Sequence, residues 1–263
     1  MWTRIFCFFA KRGQHLQPFN YIWRQTNIKQ KDKTMKKLLL LFAAVLTLTS
    51  CHTKAKRSYG PEITSVRHAR PFEKIQVKGA CDVKFAQGDA FSVKVVGADE
   101  LVKDVVTQFS GTTLTISMKD KYQKFMTFKR KHMPVVYVTS PDLIAIRMEG
   151  AGDFEIDGPL DTDTLNVFLK GVGDIELKRV VCDEFYGTLL GTGDIDVDEL
   201  TAAYSEIRLK GVGDVDVNFV NSGTAVCTLQ GVGDVELSGT LQSLQKEVKG
   251  TGDIQTKDLK LGK

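Results

Sequence analysis

The sequence is poor in the residues that build metal and catalytic centres. Its 263 residues include four scattered histidines and five cysteines, and it has no C-x-x-C pair. Structural zinc sites draw their ligands from closely spaced cysteine and histidine, so a zinc site has little support. No catalytic constellation stands out either.

Disulfide bonds are not expected. Cys7 and Cys51 belong to the amino-terminal region, which leaves Cys81, Cys182 and Cys227. Three is an odd number, so no closed disulfide framework follows. Cys227 aligns with apolar residues of neighbouring repeats and is expected to be a small buried hydrophobe. Cys81 stands where a repeat would have glycine, and it is expected to be less buried.

The net charge of +4 hides an uneven distribution. Residues 1–50 are basic, residues 51–140 have a net charge of +8, and residues 141–263 have a net charge of −12. The carboxyl-terminal half would repel phosphates, so nucleic acid is not expected as a partner.

The longest apolar run is expected to be a targeting signal rather than part of the folded domain. Residues 38–48 are apolar, follow two lysines, and end at the sequence LTSC, whose cysteine is Cys51. The run is too short to span a bilayer comfortably, and its arrangement matches a bacterial lipoprotein signal. We therefore expect a signal peptide at 35–50, a lipidated Cys51, and a lipid-anchored protein of the cell envelope. His52 is not an acidic inner-membrane retention signal, which favours the outer membrane.

The remaining amino-terminal residues show no pattern of a folded core. Residues 1–34 fit an over-extended gene start with Met35 as initiator, or else a basic, aromatic arm that touches the membrane. Residues 51–70 are polar and basic, and they are expected to form a flexible tether. Residues 71–263 are predicted to form the folded domain.

A Gly-x-Gly-Asp motif recurs through the carboxyl-terminal half. The six copies begin at Gly150, Gly171, Gly191, Gly211, Gly231 and Gly250, in steps of 21, 20, 20, 20 and 19 residues. This period is far shorter than that of helical repeats and lies in the range of solenoids. Apolar and polar residues alternate on both sides of the motif, which predicts strands.

Three apolar columns run through the aligned repeats. They lie two residues before the first glycine, directly after the aspartate, and two residues further on. One unit cannot bury such a face alone, but units stacked about 4.8 Å apart share a continuous core. The predicted fold is all-β, a single-stranded parallel β-helix with coils of about 20 residues. Glycine would make the sharp corners and leave room for close stacking.

The stacked coils would align two rows of acidic residues. The first row is Asp153, Asp174, Asp194, Asp214, Asp234 and Asp253, and the second is Glu155, Glu176, Asp196, Asp216 and Glu236. The first row is expected to accept hydrogen bonds from backbone N–H groups of its own turns. The alternative is a ladder of calcium sites, because aligned carboxylates repel one another and need counter-charge. Lys170, Lys210 and Lys249 would supply part of that charge, and no other cofactor is expected.

A basic, aromatic stretch interrupts the pattern at 119–133. Its candidates for ligand contact are Lys121, Tyr122, Lys124, Phe125, Lys129, Arg130 and Lys131. This combination fits a surface for anionic glycans or lipid headgroups, or a protruding loop with solvated charges. Just ahead, residues 98–109 have apolar residues at helical spacing and predict a short amphipathic helix that caps the first coil.

Three segments together resemble one bacterial envelope family. They are the lead-in RPFEKIQVKGACDVKFAQGD, the segment SGTTLTISM and the tandem GVGD. The family is the putative auto-transporter adhesin, head GIN domain family, and the resemblance covers roughly residues 70–258. It implies a β-solenoid lipoprotein of a Gram-negative envelope, and it brings no catalytic residues.

The sequence thus predicts a non-catalytic, adhesin-like envelope module that presents a solenoid surface to a glycan or protein partner. One alternative is a structural or regulatory envelope component that acts through protein contacts. The other is a carbohydrate-active enzyme, since paired carboxylates on a β-helix can perform acid–base chemistry. The carboxylates repeat identically in every coil, which disfavours an enzyme, because an active site usually needs one coil to differ.

Overall fold

The computed structural model describes residues 60–119 and 133–262. Within these ranges the chain forms one helix and sixteen strands, and no helix there is long and apolar enough to cross a membrane. The helix is α1 (Asp99–Asp104), and the strands are β1 (Glu62–Arg67), β2 (Lys74–Val77), β3 (Asp82–Gln87), β4 (Ser92–Ala98), β5 (Val105–Ser110), β6 (Thr113–Met118), β7 (Val135–Ser140), β8 (Ala145–Met148), β9 (Phe154–Asp161), β10 (Thr164–Leu169), β11 (Ile175–Leu189), β12 (Ile195–Leu209), β13 (Val215–Leu229), β14 (Val235–Val248), β15 (Ile254–Gln255) and β16 (Leu259–Leu261).

The coils stack in register because consecutive repeats pair residue by residue. Ile175 of β11 lies beside Ile195 of β12, which lies beside Val215 of β13, and both pairings are parallel. Six isolated parallel bridges join the middle residues of successive motifs, from Ala80 to Thr251. The predicted parallel β-helix with coils of about 20 residues is confirmed.

The three apolar columns point inward and form the core. The column after the aspartate is at most 2% exposed throughout, at Phe154, Ile175, Ile195, Val215, Val235 and Ile254. Each such side chain stabilises the fold by roughly 2 kcal/mol when it is buried. Burial depends on the neighbouring coils, because a single coil has no second layer to cover it. Val248, at the end of the first column, is the exception and is 45% exposed.

The three cysteines in the described residues are buried and free. Cys227 lies in register with Ile207 in a core column, as expected. The expectation that Cys81 is less buried is wrong, because its backbone takes the place of a motif glycine beneath Gly152 and its side chain joins the core. Burial raises the pKa of all three thiols to about 12, so these cysteines are poor nucleophiles.

The glycines of the motif are required by the corner geometry. Gly213 has a φ of +138°, a conformation that residues with side chains rarely adopt. A Cβ on Gly213 would lie 2.0 Å from the Gly193 carbonyl oxygen, and one on Gly211 would lie 2.2 Å from that of Gly191. The stacked corners are therefore too close together for any side chain at these positions.

The amino-terminal end departs from parallel stacking and corrects two predictions. Strand β1 pairs antiparallel with β4, so residues 62–67 belong to the folded domain and not to a flexible tether. Helix α1 ends at Asp104, and β5 then pairs antiparallel with β6, so the helix predicted at 98–109 is wrong beyond Asp104. In both places, strand pairing satisfies the backbone hydrogen bonds of a segment whose local pattern indicated something else.

Replacing Gly213 by alanine should destabilise the fold strongly, because the new Cβ would overlap the Gly193 carbonyl. We expect the free energy of unfolding in urea to fall by about 3 kcal/mol or more. Val212→Ala is the control, because Val212 is 53% exposed and its loss should change stability by less than about 0.5 kcal/mol. A Gly213→Ala chain as stable as the wild type would contradict the close stacking of the corners.

Candidate functional site

Outward side chains form straight columns on the solenoid because its strands are in register. Asp196 and Asp216, for example, are direct neighbours on β12 and β13. The column of Asp196, the second acidic row, continues to Lys84 at one end and to Gln255 at the other. Together with the first acidic row, it makes one wall of the solenoid strongly acidic.

The first acidic row joins consecutive coils. The carboxylate of Asp194 accepts a hydrogen bond from the backbone N–H of Asp214 (2.8 Å), and that of Asp214 accepts one from Asp234 (2.8 Å). The same bond runs between the other successive members of the row. The predicted bond within each turn is found at Asp253, which accepts from Ile254. Elsewhere the donor belongs to the next coil, because the corners stack so closely that its amide reaches the carboxylate.

The repulsion between carboxylates is offset less completely in the second acidic row than in the first. Lys84 pairs with Glu155 at one end. In the middle, burial and the neighbouring Asp216 carboxylate raise the pKa of Asp196 to about 6. Burial and nearby carboxylates also raise the pKa of Glu176 and of Asp216. The centre of this row therefore carries unfavourable negative charge at neutral pH.

One of the three predicted counter-charges, Lys249, is paired elsewhere. Lys249 pairs with Glu247 (2.8 Å), which lies outside both acidic rows. Lys178 pairs with Asp198 (2.6 Å), which follows Asp196 of the second acidic row by two residues. Across residues 60–119 and 133–262, no group of three or more His, Cys, Asp or Glu side chains is arranged to hold a metal ion. The carboxylates of the first row accept backbone hydrogen bonds, which gives them a structural role.

Two of the predicted sites lie outside the described residues. One is the lipidation site Cys51, and the other is the basic ligand surface at Lys121, Tyr122, Lys124, Phe125, Lys129, Arg130 and Lys131. Both stay predictions.

A different wall of the solenoid carries aromatic and arginine side chains on four consecutive coils. The guanidinium of Arg147 lies over the ring of Phe168, 4.3 Å from its centroid. The rings of Tyr186 and Tyr204 have centroids 6.1 Å apart and planes tilted by 57°. We call these four residues and Arg208 the aromatic wall. All five are outward positions of strands whose alternate residues fill the core.

Polar contacts hold the side chains of the aromatic wall in place. Arg147 pairs with Glu149 (2.8 Å), and this contact lowers the pKa of the Glu149 carboxyl. The Tyr186 hydroxyl donates a hydrogen bond to Glu184 (2.8 Å), which raises the pKa of Tyr186. Arg208 pairs with Glu206 on the same strand. The wall thus presents fixed aromatic and charged groups of both signs on a flat sheet.

Sequence reasoning missed the aromatic wall although its signal was present. The alternation in β10–β12 was used to find the inward residues. The complementary positions include Phe168, Tyr186 and Tyr204. Aromatic residues at outward positions of a predicted strand are unusual enough to mark a candidate surface.

A stack of parallel coils whose strands repeat in register defines a β-solenoid. The sequence profile of the family described as "Putative auto-transporter adhesin, head GIN domain" matches residues 71–198 and 188–263. The chain belongs to this family, and the resemblance seen in the sequence is confirmed.

Solved structures of low identity share the fold. A protein described as a putative adhesin from Bacteroides fragilis is 24% identical with a TM-score of 0.60, and the match covers 74% of this chain and 96% of that one. Putative adhesins from Parabacteroides distasonis (17% identical, TM-score 0.56, covering 74% of this chain and 98% of that one) and Parabacteroides merdae (16%, 0.55, 74% and 97%) are also similar. No curated protein matches the chain.

The raised pKa of Asp196 predicts a pH-dependent effect on stability. Its folded pKa of about 6 exceeds the ordinary value of 3.8, so its ionised form destabilises the fold, and stability falls as the pH rises from about 4 through 6. Asp196→Asn should therefore raise the free energy of unfolding at pH 7.5 by about 1 kcal/mol, allowing for its partial exposure. The gain should shrink towards zero at pH 4.

Asp198→Asn is the control for this experiment, because Asp198 lies on the same strand but is paired with Lys178. It should bring no gain in stability at either pH. Urea unfolding of the three chains at both pH values gives the comparison. An equal gain in the free energy of unfolding for Asp196→Asn at both pH values would contradict the claim that the ionised Asp196 carboxylate destabilises the fold.

Proposed function

We propose that this protein is a non-catalytic, adhesin-like binding module of the cell envelope, which binds an envelope glycan or protein through the aromatic wall. The observation that carries the proposal is the outward cluster of Arg147, Phe168, Tyr186 and Tyr204 on consecutive coils. Tyrosine and arginine contribute large contact energies at binding surfaces because they combine apolar area with polar groups. Polar contacts already restrain Arg147 and Tyr186, which reduces the conformational entropy that these side chains lose on binding.

The shape of the solenoid supports contact with a large partner. The walls are built from parallel strands of up to 15 residues on consecutive coils. A small ligand usually binds in a concave site that covers most of its surface. A flat wall suits an extended glycan chain or the surface of another protein, and the family's description as an adhesin is consistent with either.

The arrangement of the carboxylates supports a non-catalytic role. In the first acidic row they accept backbone hydrogen bonds from the next coil. The second row repeats its carboxylates in register on successive coils. The pKa of Asp196 differs from those of its neighbours, but the centre of the row holds carboxylates alone, with no residue of another type to fix one of them as acid and another as base. A carbohydrate-active enzyme is therefore the weaker alternative, and a structural envelope component that acts through protein contacts is the stronger one.

The proposal includes attachment to the outer membrane through a lipid on Cys51, the residue that ends the signal-like segment 35–50. Cys51→Ala removes the thiol that would carry the lipid. The protein should then move from the membrane fraction to the soluble fraction, because stable anchoring of this kind depends on attached acyl chains. Membrane fractionation of cells and mass analysis of the mature amino terminus measure this. An unchanged distribution of the Cys51→Ala chain would contradict the lipid anchor.

The binding proposal predicts that loss of the two tyrosine rings weakens binding. The chain from residue 52 onwards is applied to a glycan array and to immobilised envelope fractions, beside a Tyr186→Ser, Tyr204→Ser double variant. Affinity should fall at least tenfold, because aromatic anchors at an interface contribute about 2 kcal/mol or more. Binding to the glycan array would indicate a glycan partner. Binding to the envelope fractions without binding to the array would indicate a protein partner.

Glu236→Gln on the acidic wall is the matched control, and it should bind like the wild type. Urea unfolding of all chains shows whether the variants are folded. Equal binding by the wild type and the tyrosine double variant, or loss of binding in Glu236→Gln alone, would contradict the assignment to the aromatic wall.

A further inference from the structure

The two ends of the solenoid are finished differently. At the amino-terminal end, β1, β4 and β5 add antiparallel strands to the first coils. At the carboxyl-terminal end, β15 pairs with residues 235–236 of β14, and β16 pairs with residues 239–241. In the described part of the chain, no strand pairs with the far side of residues 243–248, which we call the open edge.

The open edge has the features of a site for strand addition. In the preceding coil, the Leu229 carbonyl accepts the N–H groups of Lys249 (2.7 Å) and Gly250 (3.1 Å). Val248 lies in register with Leu229, but no described strand lies beyond it. Val248 is 45% exposed, whereas Leu229 is fully buried. Unpaired backbone groups beside exposed apolar side chains are a template for pairing with another chain.

Lys246 interrupts the open edge at a core position. It lies in register with Cys227, which lies in register with Ile207, and both of these residues are buried. Its ammonium donates a hydrogen bond to the Ile254 carbonyl (3.1 Å), and the residue remains exposed. A charged side chain therefore ends an otherwise apolar column, and it has access to water as long as no further strand covers it.

We propose that Lys246 guards the open edge against pairing with the same edge of a second copy of this chain. A two-fold contact between identical edges would bring two Lys246 side chains into one small interface and bury both ammonium groups. The one carboxylate of the open edge, Glu247, is paired with Lys249 (2.8 Å). Asp253 lines the same cavity as Lys246, but it accepts the N–H of Ile254 and makes no ion pair with Lys246 in the described part of the chain. Burial of unpaired like charges opposes the contact, although the exposed backbone groups and Val248 favour it.

Lys246→Met tests the proposal, because it keeps an unbranched side chain and removes the charge. Analytical ultracentrifugation over a wide concentration range should show the wild-type chain, from residue 52 onwards, as a monomer. The Lys246→Met chain should reach at least twice the monomer mass at high concentration. Lys246→Arg, which keeps the charge, should remain monomeric.

Lys260→Met is the matched control. It removes one positive charge and adds the same apolar side chain at the same end of the solenoid, but Lys260 is exposed and lies on β16, outside the open edge. It should remain monomeric. Self-association of Lys260→Met to the same extent as Lys246→Met would overturn the proposal, because removal of any positive charge at this end would then suffice.

A monomeric Lys246→Met chain with a wild-type circular dichroism spectrum would also overturn the proposal. Hydrogen exchange on the wild type covers the case in which the variant misfolds. The amides of the open edge that face away from β13 should exchange at the same rate at low and at high protein concentration. Protection of these amides that increases with concentration would show that the wild-type edge pairs despite Lys246.

Discussion

The close contact between stacked glycine corners is the constraint on which the rest of the structure depends. At Gly211 and Gly213 a Cβ would lie 2.2 Å and 2.0 Å from the carbonyl oxygens of the coil before. The corners therefore approach as closely as backbone permits, and each coil advances by one strand spacing, about 4.8 Å. This step aligns the apolar columns inside, and it aligns the polar columns outside with equal strictness.

The same alignment causes charge repulsion on the surface and also creates positions where specific contacts can form. It places like charges beside one another. In the first acidic row every carboxylate except that of Asp253 accepts a hydrogen bond from a backbone N–H of the next coil. The second row has fewer such contacts, and the pKa of Asp196 rises to about 6. Departures from the repeat are where specific contacts become possible. Phe168, Tyr186 and Tyr204 break the uniformity of one wall, and Lys246 breaks that of one core column.

Sequence reasoning predicted the coil, the inward columns and the burial of Cys227, because these follow from a strict local period. It failed at residues 98–109, where Leu101, Val105 and Phe109 are four apart, and a spacing of four fits a strand as well as a helix. It also failed at 62–67, because the partner of β1 lies about thirty residues away in β4. The aspartate bonds were assigned to the wrong coil for the same reason: their donors are distant in sequence and close only after stacking. The alternation of apolar and polar residues could have identified the outward aromatic residues. It could not have shown which of them are in contact, because that depends on the register between coils.

Amide hydrogen exchange by NMR at the motif aspartates tests the stacked corners most directly. The N–H groups of Asp194, Asp214 and Asp234 lie outside the strands, yet each donates to the carboxylate of the preceding coil. If the corners are stacked as described, these amides exchange as slowly as those of the adjoining strands, and to a similar degree at all three positions. Exchange at the rate of an exposed loop would contradict the inter-coil bond and, with it, the alignment of every outward column.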